Sequence, residues 1–185
     1  MIDIKTIIGI DPGASGGIAV WRIIRDCSVN GLTAQITTVK MPKEFRDMVE
    51  YLKNTADINP GHTIAFIEKV QVRPDDTGGK QYGIAKMLAN YGSLKNALEQ
   101  AGIPYIMVHP MSWQSYLNLR TTGESKTERK NRYKEVAQKH YPIIKCNLWN
   151  SDALLMVSFG IKKINNDQAW IEANLPARSL ELFER

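Results

Sequence analysis

Three acidic side chains stand where the chain turns or changes pattern. Asp11 follows the apolar β-branched run at 5–10 and Glu68 follows the apolar run at 63–67, while Asp152 opens an apolar stretch of helical character. Carboxylates supply hard oxygen donors, which suit Mg²⁺ or Mn²⁺, ions that keep several waters and bind phosphate oxygens beside carboxylates. Two such ions about 4 Å apart would divide a phosphodiester hydrolysis between them, one activating the attacking water and the other stabilising the leaving oxygen. Each acid also has an ordinary reading: a turn former before Pro-Gly, a strand-end carboxylate, a partner for a helix dipole. Their order of strand, strand and helix start is what points to one site.

The elements that must position them follow from the hydrophobic pattern. The run at 5–10 is a strand stopped by DPGASGG, a second strand occupies 17–24, and alternation at Leu32, Ala34, Ile36 and Thr38 makes 32–40 a third, so the three form an antiparallel meander. Pro42 opens a helix with Phe45, Met48, Val49 and Leu52 at helical spacing. A strand at 63–67 ends in Glu68, and the polar loop 73–80 leads into a long helix at about 80–101, closed by Gly102. Residues 104–108 form a fifth strand. Ser125 and Glu128 make a capping box for a helix to about His140, and a last helix runs from Ser151 to about Lys162. The expected fold is α/β, with a mixed five-stranded sheet (strands 1–3 antiparallel, 4 and 5 parallel) flanked by helices. In such a sheet the carboxyl ends of the strands open on a crevice, which is where Asp11 and Glu68 fall.

With 185 residues and 43% hydrophobic composition, the expectation is one domain over 1–185 with a substantial core. The two cysteines lack metal-ligand spacing and suit a reduced compartment. No apolar run approaches the roughly 18 residues of a membrane span, and no secretory signal opens the chain, so the expected location is cytoplasmic, with no membrane partner. A formal charge of +5 permits a polyanionic partner. Lys126, Lys130 and Lys134 fall at i, i+4 and i+8 and form a basic stripe with Arg129 nearby, opposite Tyr133, Val136, Ala137 and His140. This is either a solvated face or a phosphate-binding one, and phosphate binding would be steeply salt-dependent. Gln71, Arg73 and Lys80 lie in the loop after Glu68, close in sequence to the acids.

The motifs, taken in order, resemble the RuvC-type Holliday junction resolvases of the RNase H-like superfamily. IIGIDPGASGGIAVW at 7–21 is similar to that family's opening strand and DPG turn. AFIEKVQV at 65–72, KMLANYGSL at 86–94 and SDALLMV at 151–157 resemble its second motif, its following helix and its closing Asp-Ala-Leu helix. The resemblance implies an RNase H-like domain that hydrolyses DNA at four-way junctions, with Asp11, Glu68 and Asp152 as ligands of two Mg²⁺ or Mn²⁺ ions. It further implies in-line attack by water with a 3′-hydroxyl leaving group, and a homodimer making paired nicks. It places Gln71, Arg73, Lys80, Lys126, Arg129, Lys130 and Lys134 against DNA, with Lys126 or Lys130 assisting at the active site. The second face of the 80–101 helix, with Ala85, Ala89, Gly92 and Ala97, is the candidate dimer surface.

The chain departs from the family before its last acid. Where another acid or a histidine is usual, 146–151 reads CNLWNS. Asn147 or Asn150 could serve as a neutral oxygen ligand, the second ion could be held weakly, or the stretch could carry an inactivating change. Three other readings stay open: a junction-binding protein without cleavage, an RNase H-fold nuclease for hybrids or flaps, and an actin-fold ATPase. The last shares a D-x-G-x-x-x-G loop but normally needs two lobes and well over 300 residues.

Overall fold

A computed structural model describes residues 3–13, 15–26, 31–70 and 81–176. Its centre is a five-stranded sheet in the order β3-β2-β1-β4-β5. β1 (Thr6–Ile10) pairs antiparallel with β2 (Gly17–Asp26), which pairs antiparallel with β3 (Gly31–Lys40). On its other edge β1 pairs parallel with β4 (Thr63–Glu68), and β4 with β5 (Tyr105–Val108). This is the expected meander followed by parallel strands. The β1–β4 register sets Ile10 opposite Ile67, so Asp11 and Glu68 follow from adjacent, level positions.

The sheet separates two apolar layers, and alternation along β1 assigns its residues between them. Ile8 and Ile10 pack with α1 (Phe45–Ala56) and α2 (Gln81–Gln100) through Met48, Leu52, Leu94 and Leu98. Ile7, with Phe66 of β4, packs on the opposite face against α5 (Ser151–Asn166). Around α5 stand α3 (Pro110–Tyr116), α4 (Lys126–His140) and α6 (Gln168–Asn174). Covered on all sides, α5 is buried from Ser151 through Gly160, and its sequence there is apolar apart from Ser151, Asp152 and Ser158.

The approach of α5 to β1 depends on Gly9. A Cβ there would lie 2.2 Å from the Ala153 carbonyl oxygen and 2.7 Å from the Val157 nitrogen. The missing side chain lets the first turn of α5 rest on the strand immediately before Asp11.

Several expectations are corrected in detail. α1 starts at Phe45 rather than Pro42, because Glu44 is extended and precedes the first helical turn. α5 continues to Asn166, and α3 and α6 are additional helices of seven residues each. α3 is too short to show a period, and it begins at Pro110, whose ring suits a first helical turn. Ala34 is exposed, so the alternation of β3 buries Ile36 and not Ala34. Ala97, assigned from sequence to an outer face of the long helix, is fully buried in the α1/α2 layer. Ala85 and Ala89 are exposed, with Leu88 between them 45% exposed.

Candidate active site

Asp11 begins the turn between β1 and β2. Its backbone N–H donates to the Gly17 carbonyl at 3.0 Å, extending the ladder by one residue, and its Oδ1 accepts from the Gly13 N–H at 3.0 Å. The turn folds so tightly over this carboxylate that a Cβ on Gly16 would lie 2.6 Å from Asp11 Cγ. The Asp-Pro-Gly sequence thus serves as a turn former, and in doing so it fixes the carboxylate above the end of β1.

Glu68 ends β4, beside Asp11 and on the α5 face. Burial, followed by the charges of Asp11 and Asp152, pushes its pKa up to about 8, against the opposing influence of Lys130 and Trp113. Asp152 lies in the first turn of α5 and is 6% exposed. Burial and the charge of Asp11 raise its pKa, while the Lys130 ammonium works in the opposite direction. The three carboxylates are therefore within electrostatic reach of one another in a poorly hydrated place. Partial neutralisation by protons is the outcome when a cation does not screen them.

Lys130 supplies one such cation. Its Nζ lies 2.5 Å from Asp152 Oδ2. Burial pulls the pKa of this ammonium down, but Asp152, Asp11 and Glu68 together outweigh that, and the net shift is upward. The sequence stripe of Lys126, Lys130 and Lys134 is accordingly split. Lys126, Arg129 and Lys134 are exposed, whereas Lys130 turns inward onto the acids.

Behind the carboxylates stand two buried donors, Trp113 of α3 and Tyr133, the latter placed by the sequence only on the face of its helix opposite the basic stripe. Trp113 Nε1 and Tyr133 Oη have no hydrogen-bond partner among the described residues, and neither does Asp152 Oδ1. The rings of Trp113 and Tyr133 meet edge to face at 5.6 Å. Trp113 faces Glu68 closely enough to lower its proton affinity, and Tyr133 feels the charges of both Asp152 and Glu68. Their signal in the sequence was faint, because aromatic residues at helical spacing are ordinary core formers.

The asparagines before Asp152 have a different employment. Asn150 is 1% exposed, its Oδ1 accepts from the Asn147 N–H at 2.7 Å, and its Nδ2 donates to Thr38 Oγ1 at 3.3 Å and to the Lys145 carbonyl at 3.2 Å. Asn147 Nδ2 donates to the same carbonyl at 3.2 Å, and the Asn147 carbonyl accepts from Ser151 Oγ. Both amide atoms of Asn150 are thus engaged in the turn that aims α5, and the Asn147 amide nitrogen and carbonyl hold the same turn. Gln71, Arg73 and Lys80 lie outside the described residues.

Donor type and charge at this site fit a hard divalent ion. Among the described residues Asp152 Oδ1 is buried without a partner, and the three carboxylates face one ammonium, that of Lys130. The oxygens are not drawn into a closed ligand set: among the described residues no group of three or more His, Cys, Asp and Glu side chains is already arranged around one point. Lys130 holds one oxygen of Asp152 and the Gly13 N–H holds one of Asp11.

Neither protein-family models nor curated protein sequences match this chain. Solved structures do. RuvC from Thermus thermophilus is 15% identical, with 92% of this chain and 98% of that chain covered and a TM-score of 0.54. The same organism's RuvC in complex with a Holliday junction substrate is 14% identical, with 88% and 96% covered and a TM-score of 0.55. The chain has the RNase H-like fold of RuvC. Within this RuvC fold, Asp11, Glu68 and Asp152 sit at the carboxyl ends of β1 and β4 and the start of α5. The fold therefore gathers the three acids that the sequence separates by 57 and 84 positions.

Proposed function

We propose that this chain is a metal-dependent endonuclease that resolves four-way DNA junctions, as a RuvC-type resolvase. The observation that carries the reading is the convergence of Asp11, Glu68 and Asp152 in one poorly hydrated cluster, with Asp152 Oδ1 left without a partner among the described residues. Likeness to a RuvC bound to a Holliday junction substrate supports branched DNA as the substrate class.

Asp11, Glu68 and Asp152 would hold Mg²⁺ or Mn²⁺, two ions in the full arrangement, and the bound metal supplies a water activated for in-line attack and charge for the leaving 3′-oxygen. The chain's own residues prepare that chemistry. Gly13 orients the Asp11 carboxylate, while the covered position of the first turn of α5 keeps Asp152 away from bulk water. Glu68 must give up its proton before it can act as a ligand. Lys130 holds Asp152 in place, and its ammonium would be offered to a phosphate oxygen of the strand being cut. Lys126, Arg129 and Lys134, on the outer turns of α4, would track the DNA backbone.

Paired nicks require two copies of the site. The exposed Ala85, Leu88 and Ala89 of α2 form the face we assign to a homodimer contact. Sedimentation of Ala89→Arg should show monomers where the unaltered chain shows dimers.

The deciding experiment incubates the protein and its Asp11→Asn variant with a labelled four-way junction, in Mg²⁺, in Mn²⁺ and in EDTA. Paired metal-dependent nicks, lost in the variant while junction binding survives, would establish the reading. Binding without cutting under every metal would reduce it to a junction-binding protein. Neither binding nor cutting would end it.

A further inference from the structure

On the other side of β1 from the acids, the same turn borders a cavity of about 410 Å³ that the chemistry above leaves unused. Pro12, immediately after Asp11, forms one wall. Met41 and Phe45 form an apolar side, and α2 contributes Lys86, Asn90 and Ser93 opposite Lys43. Phe45 is 41% exposed, so its ring is open to a ligand in the cavity. Lys43 and Lys86 are both exposed, and neither enters an ion pair with another described residue.

This lining has a specific chemical sense. An aromatic ring and a thioether offer a flat polarizable surface, an amide and a hydroxyl offer hydrogen bonds to a ring edge, and two ammonium groups at the rim offer counter-charge to phosphate. A planar heteroaromatic body carrying a phosphate satisfies all three, whereas a purely apolar ligand would leave the lysines and Asn90 unused. The volume accommodates one nucleotide, in the size range of small-ligand sites.

We propose that this cavity is a nucleotide-binding subsite, which takes a nucleotide of the DNA strand adjoining the scissile phosphate, unstacked from its neighbours. The proposal rests on the resolvase reading for the identity of the strand. The link is Pro12: it lines the cavity and directly follows Asp11 in the same turn, so the cavity opens beside the segment that carries the first acid. Bases at a branch point have lost a stacking partner, so extrusion costs least there. Stacking on Phe45 and contact with two ammonium groups would offset that cost.

The test uses the unaltered chain, Phe45→Ala, and the pair Lys43→Ala/Lys86→Ala, none of which touches the carboxylate cluster. Four-way junctions carry 2-aminopurine at successive positions around the branch, and emission is followed in EDTA, so that cutting plays no part. The expected result is a several-fold emission change at one position, abolished by Phe45→Ala, with junction affinity falling about tenfold in each variant. In a second arm thymidine 5′-monophosphate is titrated against the isotopically labelled protein. Shifts confined to the cavity residues, with every junction position silent, would assign the cavity to free nucleotides and overturn the strand assignment. Silence in both arms would overturn the subsite altogether. Junctions cut in Mg²⁺ with both arms silent would sink the subsite alone, whereas junctions neither bound nor cut would sink the resolvase reading, leaving the nucleotide titration to decide the cavity.

Discussion

Lys130 Nζ lies 2.5 Å from one oxygen of Asp152, while the other oxygen of that carboxylate is buried and has no partner among the described residues. The pair joins the middle of α4 to the first turn of α5. It also leaves Asp152 half satisfied, which is a costly state for a buried carboxylate and one that a second cation would relieve.

Replacing Lys130 by Met should therefore destabilise the metal-free protein by about 1–3 kcal/mol, less than for a fully buried pair because the lysine side chain is 31% exposed. Millimolar Mg²⁺ or Mn²⁺ should recover part of the loss. Thermal unfolding in EDTA and in metal measures both effects, and a variant as stable as the unaltered chain in EDTA would show the contact to be of no consequence.

Glu68 makes stability depend on pH in a predictable direction. A carboxyl whose pKa rises on folding from 4.5 to about 8 holds its proton more tightly in the folded state. Its contribution is full below about pH 4.5 and is lost as pH climbs through about 8. Glu68→Gln, which cannot ionise, should gain on the unaltered chain with rising pH, by about 2 kcal/mol near pH 9 once partial exposure is allowed for. Urea unfolding in EDTA across this range would test it, and a constant difference would contradict it. In metal the gain should reverse, because a ligand has been removed.

Gly9→Ala should be among the most damaging small substitutions in the chain. The added carbon would lie 2.2 Å from the Ala153 carbonyl oxygen, so α5 must lift from β1 and carry Asp152 away from Asp11. A loss of about 3 kcal/mol is expected. Gly92→Ala on α2, where a Cβ meets nothing within 4 Å, should be neutral or slightly stabilising. Denaturation midpoints of the two variants make the comparison directly.

On α4, Lys126→Ala/Lys134→Ala should lower the slope of log affinity against log salt for junction DNA by about two, without affecting stability. Arg132→Ala should do the reverse. Its guanidinium is engaged by Glu124 at 2.6 and 2.7 Å and by the Leu119 carbonyl at 2.8 Å, and Glu124 is held down to a pKa of about 2 by that contact. Its loss should loosen the segment before α4 and leave the salt slope unchanged.

The sequence by itself determined the strands, the long helices and the identity of the three acids. Those are consequences of local pattern: β-branched runs stopped by Asp-Pro-Gly, apolar spacing along α2, and a capping box that Ser125 and Glu128 do form. The direction of the strands was also legible, because a Gly-rich turn makes a hairpin and a helix between strands makes a parallel crossover, but that β4 lies beside β1 and not beside β3 was decided by the packing of the whole sheet. What a local pattern does not contain is the direction a side chain takes once helices pack. Only the tertiary structure turned Lys130 inward from a stripe it shares with Lys126 and Lys134, since α4 presents that position to α5. Packing also buried Ala97, committed the Asn150 amide to the turn before α5, and brought Trp113 and Tyr133 behind the acids from helices that follow the sheet. In each case the deciding quantity is a contact between residues many positions apart, and such contacts arise from burial and close packing across the sheet rather than from the spacing of residues along the chain.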